Sequence, residues 1–157
     1  MTDTVDPATR SRMMAGIRGR NTKPEVKVRK ALHALGFRFA RSSKGLPGKP
    51  DVVLPRWKVA VFVNGCFWHW HGCHLSRIPA SNAEFWLAKL TGNRARDVRV
   101  VSQLLGNDWR VLTVWECSLR GSAGGAAFDA DMLRVAGWIR GNSGERTMVV
   151  PSVHRTD

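Results

Sequence analysis

The stretch VNGCFWHWHGCHL, residues 63–75, constrains this chain more than any other. It follows directly on an apolar, β-branched run, KVAVFV at 58–63, and places two of the three cysteines around two histidines. The third cysteine, Cys117, ends a second run of strand type, WRVLTVWEC at 109–117. A four-coordinate zinc site takes thiolates and imidazoles. Cys66, Cys73 and Cys117 with one histidine would supply it and would pin the loop to a distant strand. His69, His71 and His74 are all available, and spacing does not choose between His69 and His71. The competing reading is three reduced, partly buried thiols. An odd cysteine count in a chain without a signal-type leader does not suggest a disulfide framework.

Helix and strand signals follow from local chemistry. Thr22-Lys23-Pro24-Glu25 can open a helix, with Thr22 as cap and Glu25 closing a capping box; Gly36 stops it. Residues 41–50, RSSKGLPGKP, are a loop. DVVL (51–54) and KVAVFV (58–63), joined by Pro55-Arg56-Trp57, predict an antiparallel hairpin. Ser81, with Glu84 as partner, is the expected cap of a helix running to about Leu105. The third strand spans 109–117, and a helix near 128–140 follows a glycine-rich loop at 121–127. The order predicts an α/β fold, a mixed β-sheet flanked by helices with a structural zinc site. The expected divisions are an N-terminal arm (1–21), a single folded domain (22–140) and a flexible C-terminal tail (141–157).

The hairpin carries a second chemical feature. With its turn near Arg56, Asp51 falls opposite Val61 to Val63. Its carboxylate and the Val63 backbone carbonyl then meet at one end, a sparse set of hard oxygens suited to magnesium. A Pro-Asp pair before a strand is more often just a turn, and Glu25 is first a capping residue.

Charge narrows the partner. The chain has 25 Lys and Arg against 12 Asp and Glu, a net of +13, and residues 1–58 hold 14 basic and 4 acidic side chains. Such a surface attracts phosphate backbones through counterion release. No apolar run approaches the roughly 18 residues of a membrane span. A cytoplasmic protein is expected.

Five ordered motifs carry a family resemblance: ATRSRMM (8–14), LPGKPDVV (46–53), NGCFWHWHGC (64–73), EFWLAKL (84–90) and WRVLTVWEC (109–117). Over residues 7–140 the chain resembles the bacterial very short patch repair (Vsr) DNA mismatch endonucleases. The resemblance implies a restriction-endonuclease-like fold and nicking of duplex DNA 5′ of the T in T·G mismatches left by deamination of 5-methylcytosine. It implies catalytic Mg2+ held by Asp51 and the Val63 carbonyl, His69 as general base, and Glu25 orienting water at the metal. It implies structural Zn2+ on Cys66, His71, Cys73 and Cys117. Phe67, Trp68 and Trp86 would enter the major groove beside the mismatch, Met14 would press from the minor groove, and Arg12 and Arg18 would hold the backbone. Some relatives carry histidine at the position of Asn64. Asparagine hydrogen-bonds but does not titrate, so proton transfer falls to His69. The implied partners are mismatched duplex DNA and mismatch-repair proteins of the MutL type, and the implied state is a monomer.

Two other readings compete. A zinc-stabilised DNA-binding module would have no use for Asp51 at the hairpin end. A restriction enzyme cutting both strands of normal DNA would have no use for a cluster of intercalating aromatics.

Overall fold

The computed structural model describes residues 21–40, 43–141 and 143–151. The first helix, α1, spans Lys23–Ala34. Thr22 caps it, its hydroxyl accepting from the Glu25 N–H at 3.4 Å. The reciprocal half of the box falls one residue earlier than expected: Glu25 Oε2 accepts from the Asn21 N–H at 2.9 Å. This contact leaves Glu25 nearly buried, 7% exposed. The helix turns Val28 and Leu32 inward, and Gly36 closes it at φ +95°, a left-handed conformation that costs glycine little.

The hairpin forms as the turn chemistry requires. β1 (Val52–Leu54) and β2 (Val59–Asn64) are joined by a 3-10 turn at Pro55–Trp57, with Lys58 in the left-handed region. They pair antiparallel with Val52 opposite Val61. The Asp51 N–H continues the ladder to the Val61 carbonyl at 2.9 Å. β3 (Arg110–Trp115) then lies parallel to β2, with Val63 beside Val114 and Asn64 beside Trp115.

A parallel pair needs a crossover helix, and α2 (Ala83–Gly106) supplies it. Its N-cap is Asn82, in the left-handed region and without a side-chain cap bond, rather than Ser81. The first helical bond runs from the Trp86 N–H to the Asn82 carbonyl. That leaves Ser81 outside the turn whose N–H groups it would satisfy. Glu84, in the first turn, is there favourable to the helix dipole.

A second crossover, α3 (Ala126–Arg140), leads to β4 (Thr147–Val150), parallel to β3. Residues 147–150 therefore belong to the sheet, although they lie in the stretch assigned to a flexible tail. No second strand-type run or hairpin turn stands next to TMVV to mark it as a strand, and the β3 edge supplies the ladder. The sheet order is β1-β2-β3-β4.

Both faces of the sheet are covered, as parallel strands require. On one, α1 and α3 bury Val28, Leu32, Met132, Val135 and Ile139 against Val61, Leu112 and Val114. On the other, α2 packs Leu104 against Ala60 and Val111. Two cations tie the outer layer down. Arg110 donates to the Trp138 and Ile139 carbonyls at the end of α3, and Lys27 donates to the Gly124 carbonyl at 2.6 Å.

Candidate active site and metal cluster

The hairpin end brings Asp51 and Val63 together, and the Val63 N–H donates to Asp51 Oδ2 at 2.7 Å. Burial pushes the Asp51 carboxyl up to about 6 from its ordinary 3.8, and the Glu25 charge adds to the rise. The Val63 N–H, His69 and Arg29 pull the other way. A carboxylate so held at neutral pH is a ready site for a hard cation.

His69 stands above this end of the sheet. Its Nδ1 lies 2.5 Å from Asp97 Oδ2 on α2. An imidazole held through Nδ1 by a carboxylate presents Nε2 outward in a defined tautomer. Asp97 was not anticipated from the sequence. It lies 28 residues away within the basic helix α2, where a single aspartate resembles an ordinary solvated residue. Asn64 lines the same cavity of about 560 Å3 as His69, Asp97, Trp70 and Trp115.

The loop after β2 folds back tightly. The His71 N–H donates to the Cys66 carbonyl at 2.9 Å. The buried Ser76 hydroxyl donates to the same carbonyl and accepts from the Gly72 N–H. Trp70 and Gly72 adopt positive φ to make the turn. The outcome is a cluster of Cys66, His71, Cys73 and Cys117 whose ligand atoms lie within 4.8 Å of one another. It could hold a metal ion, and three sulfurs with one ring nitrogen match a closed tetrahedral zinc site. His71 joins the cluster, its Nδ1 3.6 Å from Cys117 Sγ. His69 turns instead to Asp97, and His74 is exposed. The Cys117 N–H also donates to Cys66 Sγ at 3.3 Å. Without metal, burial pushes the Cys66 and Cys117 thiols up. Cys73 sits below the usual thiol range: burial opposes this, but hydrogen bonds from the Leu75 N–H, the Ser76 hydroxyl and both other thiols outweigh it.

Beside the cluster, Phe67, Trp68 and Trp86 pack edge to face. Their centroids are 5.2 Å (Phe67–Trp68), 5.4 Å (Phe67–Trp86) and 6.0 Å (Trp68–Trp86) apart. Each remains partly exposed. Asn93 ties the group to α2 by donating to the Trp68 carbonyl at 3.0 Å. Met14, Arg12 and Arg18 lie outside the described residues.

The family model of the DNA mismatch endonuclease Vsr matches residues 2–75. The DNA mismatch endonuclease Vsr of Escherichia coli is 39% identical over 154 residues, 98% of either chain. The chain belongs to the Vsr family. The type II nicking enzyme V.XorIIP of Xanthomonas oryzae pv. oryzae is 45% identical over 119 residues, covering 76% of this chain and 88% of the relative. The type II nicking enzyme V.NmeAIP of Neisseria meningitidis is 45% identical over 123 residues, 78% and 88% of the two chains. As a Vsr endonuclease, the protein is a DNA-cleaving enzyme. Among the described residues, no helix is long and apolar enough to cross a membrane.

Proposed function

We propose that this Vsr endonuclease nicks duplex DNA on the 5′ side of the T in T·G mismatches, through Mg2+-dependent hydrolysis of one phosphodiester bond. The observation that carries the reading is the convergence of the Asp51–Val63 hairpin end and the His69–Asp97 pair. A nuclease needs a carboxylate near the scissile phosphate and a base near the attacking water. Bound there by Asp51 and the Val63 carbonyl, magnesium would supply charge stabilisation of the phosphoryl oxygens.

The protein's own groups do the rest. Asp97 holds His69 so that Nε2 can accept a proton from water. Glu25, buried beside Asp51, orients that water, and Asn64 hydrogen-bonds without titrating. Cys66, His71, Cys73 and Cys117 would hold Zn2+, which would fix the loop that carries His69. The wedge Phe67, Trp68 and Trp86, with Met14 of the 1–21 arm opposite, opens the step beside the mismatch, where unstacking costs least. Arg12 and Arg18 would steady the backbone. The fold this implies is restriction-endonuclease-like. The enzyme would act as a monomer in the bacterial cytoplasm, alongside mismatch-repair proteins of the MutL type.

The test incubates the protein and Mg2+ with two duplexes differing at one position, T·G against C·G. A single nick confined to the T strand of the mismatched duplex supports the proposal. Equal cleavage of both duplexes, or cleavage of both strands, overturns it.

A further inference from the structure

Trp115 has no part in the chemistry described so far, yet it touches both halves of the site. Its indole stacks on the His71 imidazole, centroids 4.1 Å apart and planes 10° apart. The same indole meets His69 at 6.4 Å with the planes inclined by 68°. The backbone beneath it is clamped. Trp115 ends β3 beside Asn64, and its carbonyl accepts from the Ser118 hydroxyl at 2.7 Å. Two residues on, the Cys117 N–H reaches Cys66 Sγ.

His69 needs such a wall. Asp97 holds His69 at one ring nitrogen, and the Trp115 indole bounds the ring on a second side. A misplacement of about 1 Å at a reacting group can cost on the order of 100-fold in rate.

We infer that Trp115 is a positioning residue: it transmits the fixed orientation of His71, a ligand in the cysteine–histidine cluster, to the ring of His69. This rests on the proposed roles of the cluster and of His69. His71, which would be a ligand of a metal bound at the cluster, stacks on the indole, and the indole limits the swing of His69. The cluster then tunes nicking as well as folding.

The experiment uses full-length protein loaded with zinc. Trp115→Leu removes the flat face, and Trp115→Phe keeps one. Three quantities are measured: zinc content with T·G duplex affinity, single-turnover nicking in Mg2+, and imidazole 15N–1H NMR spectra without DNA or Mg2+. Trp115→Leu is expected to keep its zinc and to bind within about twofold of wild type. Its nicking should fall about tenfold or more, with the His69 ring signals broadened or doubled. Trp115→Phe should recover most of the rate and a single set of His69 signals. Wild-type nicking and unchanged His69 signals in Trp115→Leu would overturn the inference. If that variant loses zinc, Trp115→Met, which fills volume without a ring face, is read in its place. Loss of zinc in both makes Trp115 a support of the cluster alone and also overturns the inference. A wild-type protein that fails to nick the T·G duplex overturns the function instead, and the NMR comparison still decides the role of Trp115.

Discussion

The Val63 N–H donates to Asp51 Oδ2 at 2.7 Å, across a hairpin whose turn lies at Pro55–Trp57. That bond directs a backbone donor at the carboxylate and fixes it at the strand end. It does not offset burial, because the Asp51 carboxyl is still pushed up to about 6. The unfolded chain would release the same proton near 3.8. Between these values the folded state binds more protons than the unfolded state. Without metal, Asp51 therefore costs stability that grows as pH rises from about 4 to 6 and stays constant above.

Asp51→Asn should abolish nicking yet stabilise the metal-free protein at pH 7.5. Two pH units bound the gain at about 3 kcal/mol, reduced by solvent reaching the half-buried group. The gain should vanish below about pH 4. Thermal melts of both proteins with chelator at pH 3.5 and 7.5 check this. An equal or lower melting temperature for Asp51→Asn at pH 7.5 would contradict the assignment of burial as the cause.

Magnesium binding should weaken as pH falls through about 6, because the cation must displace a proton from Asp51. Calorimetric titration with Mg2+ at pH 5 and 7.5 should show affinity falling by about tenfold at the lower pH, as one competing proton implies. A pH-independent affinity would point to another ligand set.

Asp97→Asn should lower nicking by roughly 100-fold or more, the usual worth of an oriented general base, with mismatch binding little changed. Its amide can also leave the His69 ring in the wrong tautomer. Single-turnover kinetics beside gel-shift titration separates the two effects. A parallel loss of binding would make the pair structural.

Cys117→Ser should reduce both stability and activity, because Cys117 is the one member of the proposed zinc cluster from β3's end of the fold and would tie the 66–73 loop to it. Metal analysis of the wild type should find about one zinc per chain. A metal-free protein that melts and nicks like the loaded one would refute the site.

Trp68→Ala should reduce discrimination between T·G and matched duplex by about tenfold or more, since stacking on an aromatic ring is worth roughly 1–3 kcal/mol. Arg12→Ala and Arg18→Ala should instead weaken both duplexes alike and flatten the salt dependence. Paired titrations at two salt concentrations distinguish them. Equal losses on both duplexes for Trp68→Ala would mean packing, not reading.

Much of the site was legible because its signals are local. Thr22 caps α1 through a residue three away, and the short turn after Leu54 sets the register that carries Asp51 to Val63. Cys66 and Cys73 bracket His71 within eight residues. The two errors at element ends share a cause. Ser81 and Asn82 are both acceptable caps, and only the path of the incoming loop selects between them. TMVV acquires strand structure from the β3 edge, not from its own composition.

Alone, the sequence determined the hairpin, the helices and the inventory of ligands, because turn chemistry, capping and side-chain period act over a few residues. Tertiary structure decided the pairings. His69 meets Asp97 across 28 residues, and His71 meets Cys117 and Trp115 across more than 40. Which histidine faces the thiols and which faces the carboxylate depends on how α2 and β3 pack around one tight loop. Spacing constrains a contact only while the intervening chain is short; beyond that, burial of the two sheet faces fixes the geometry.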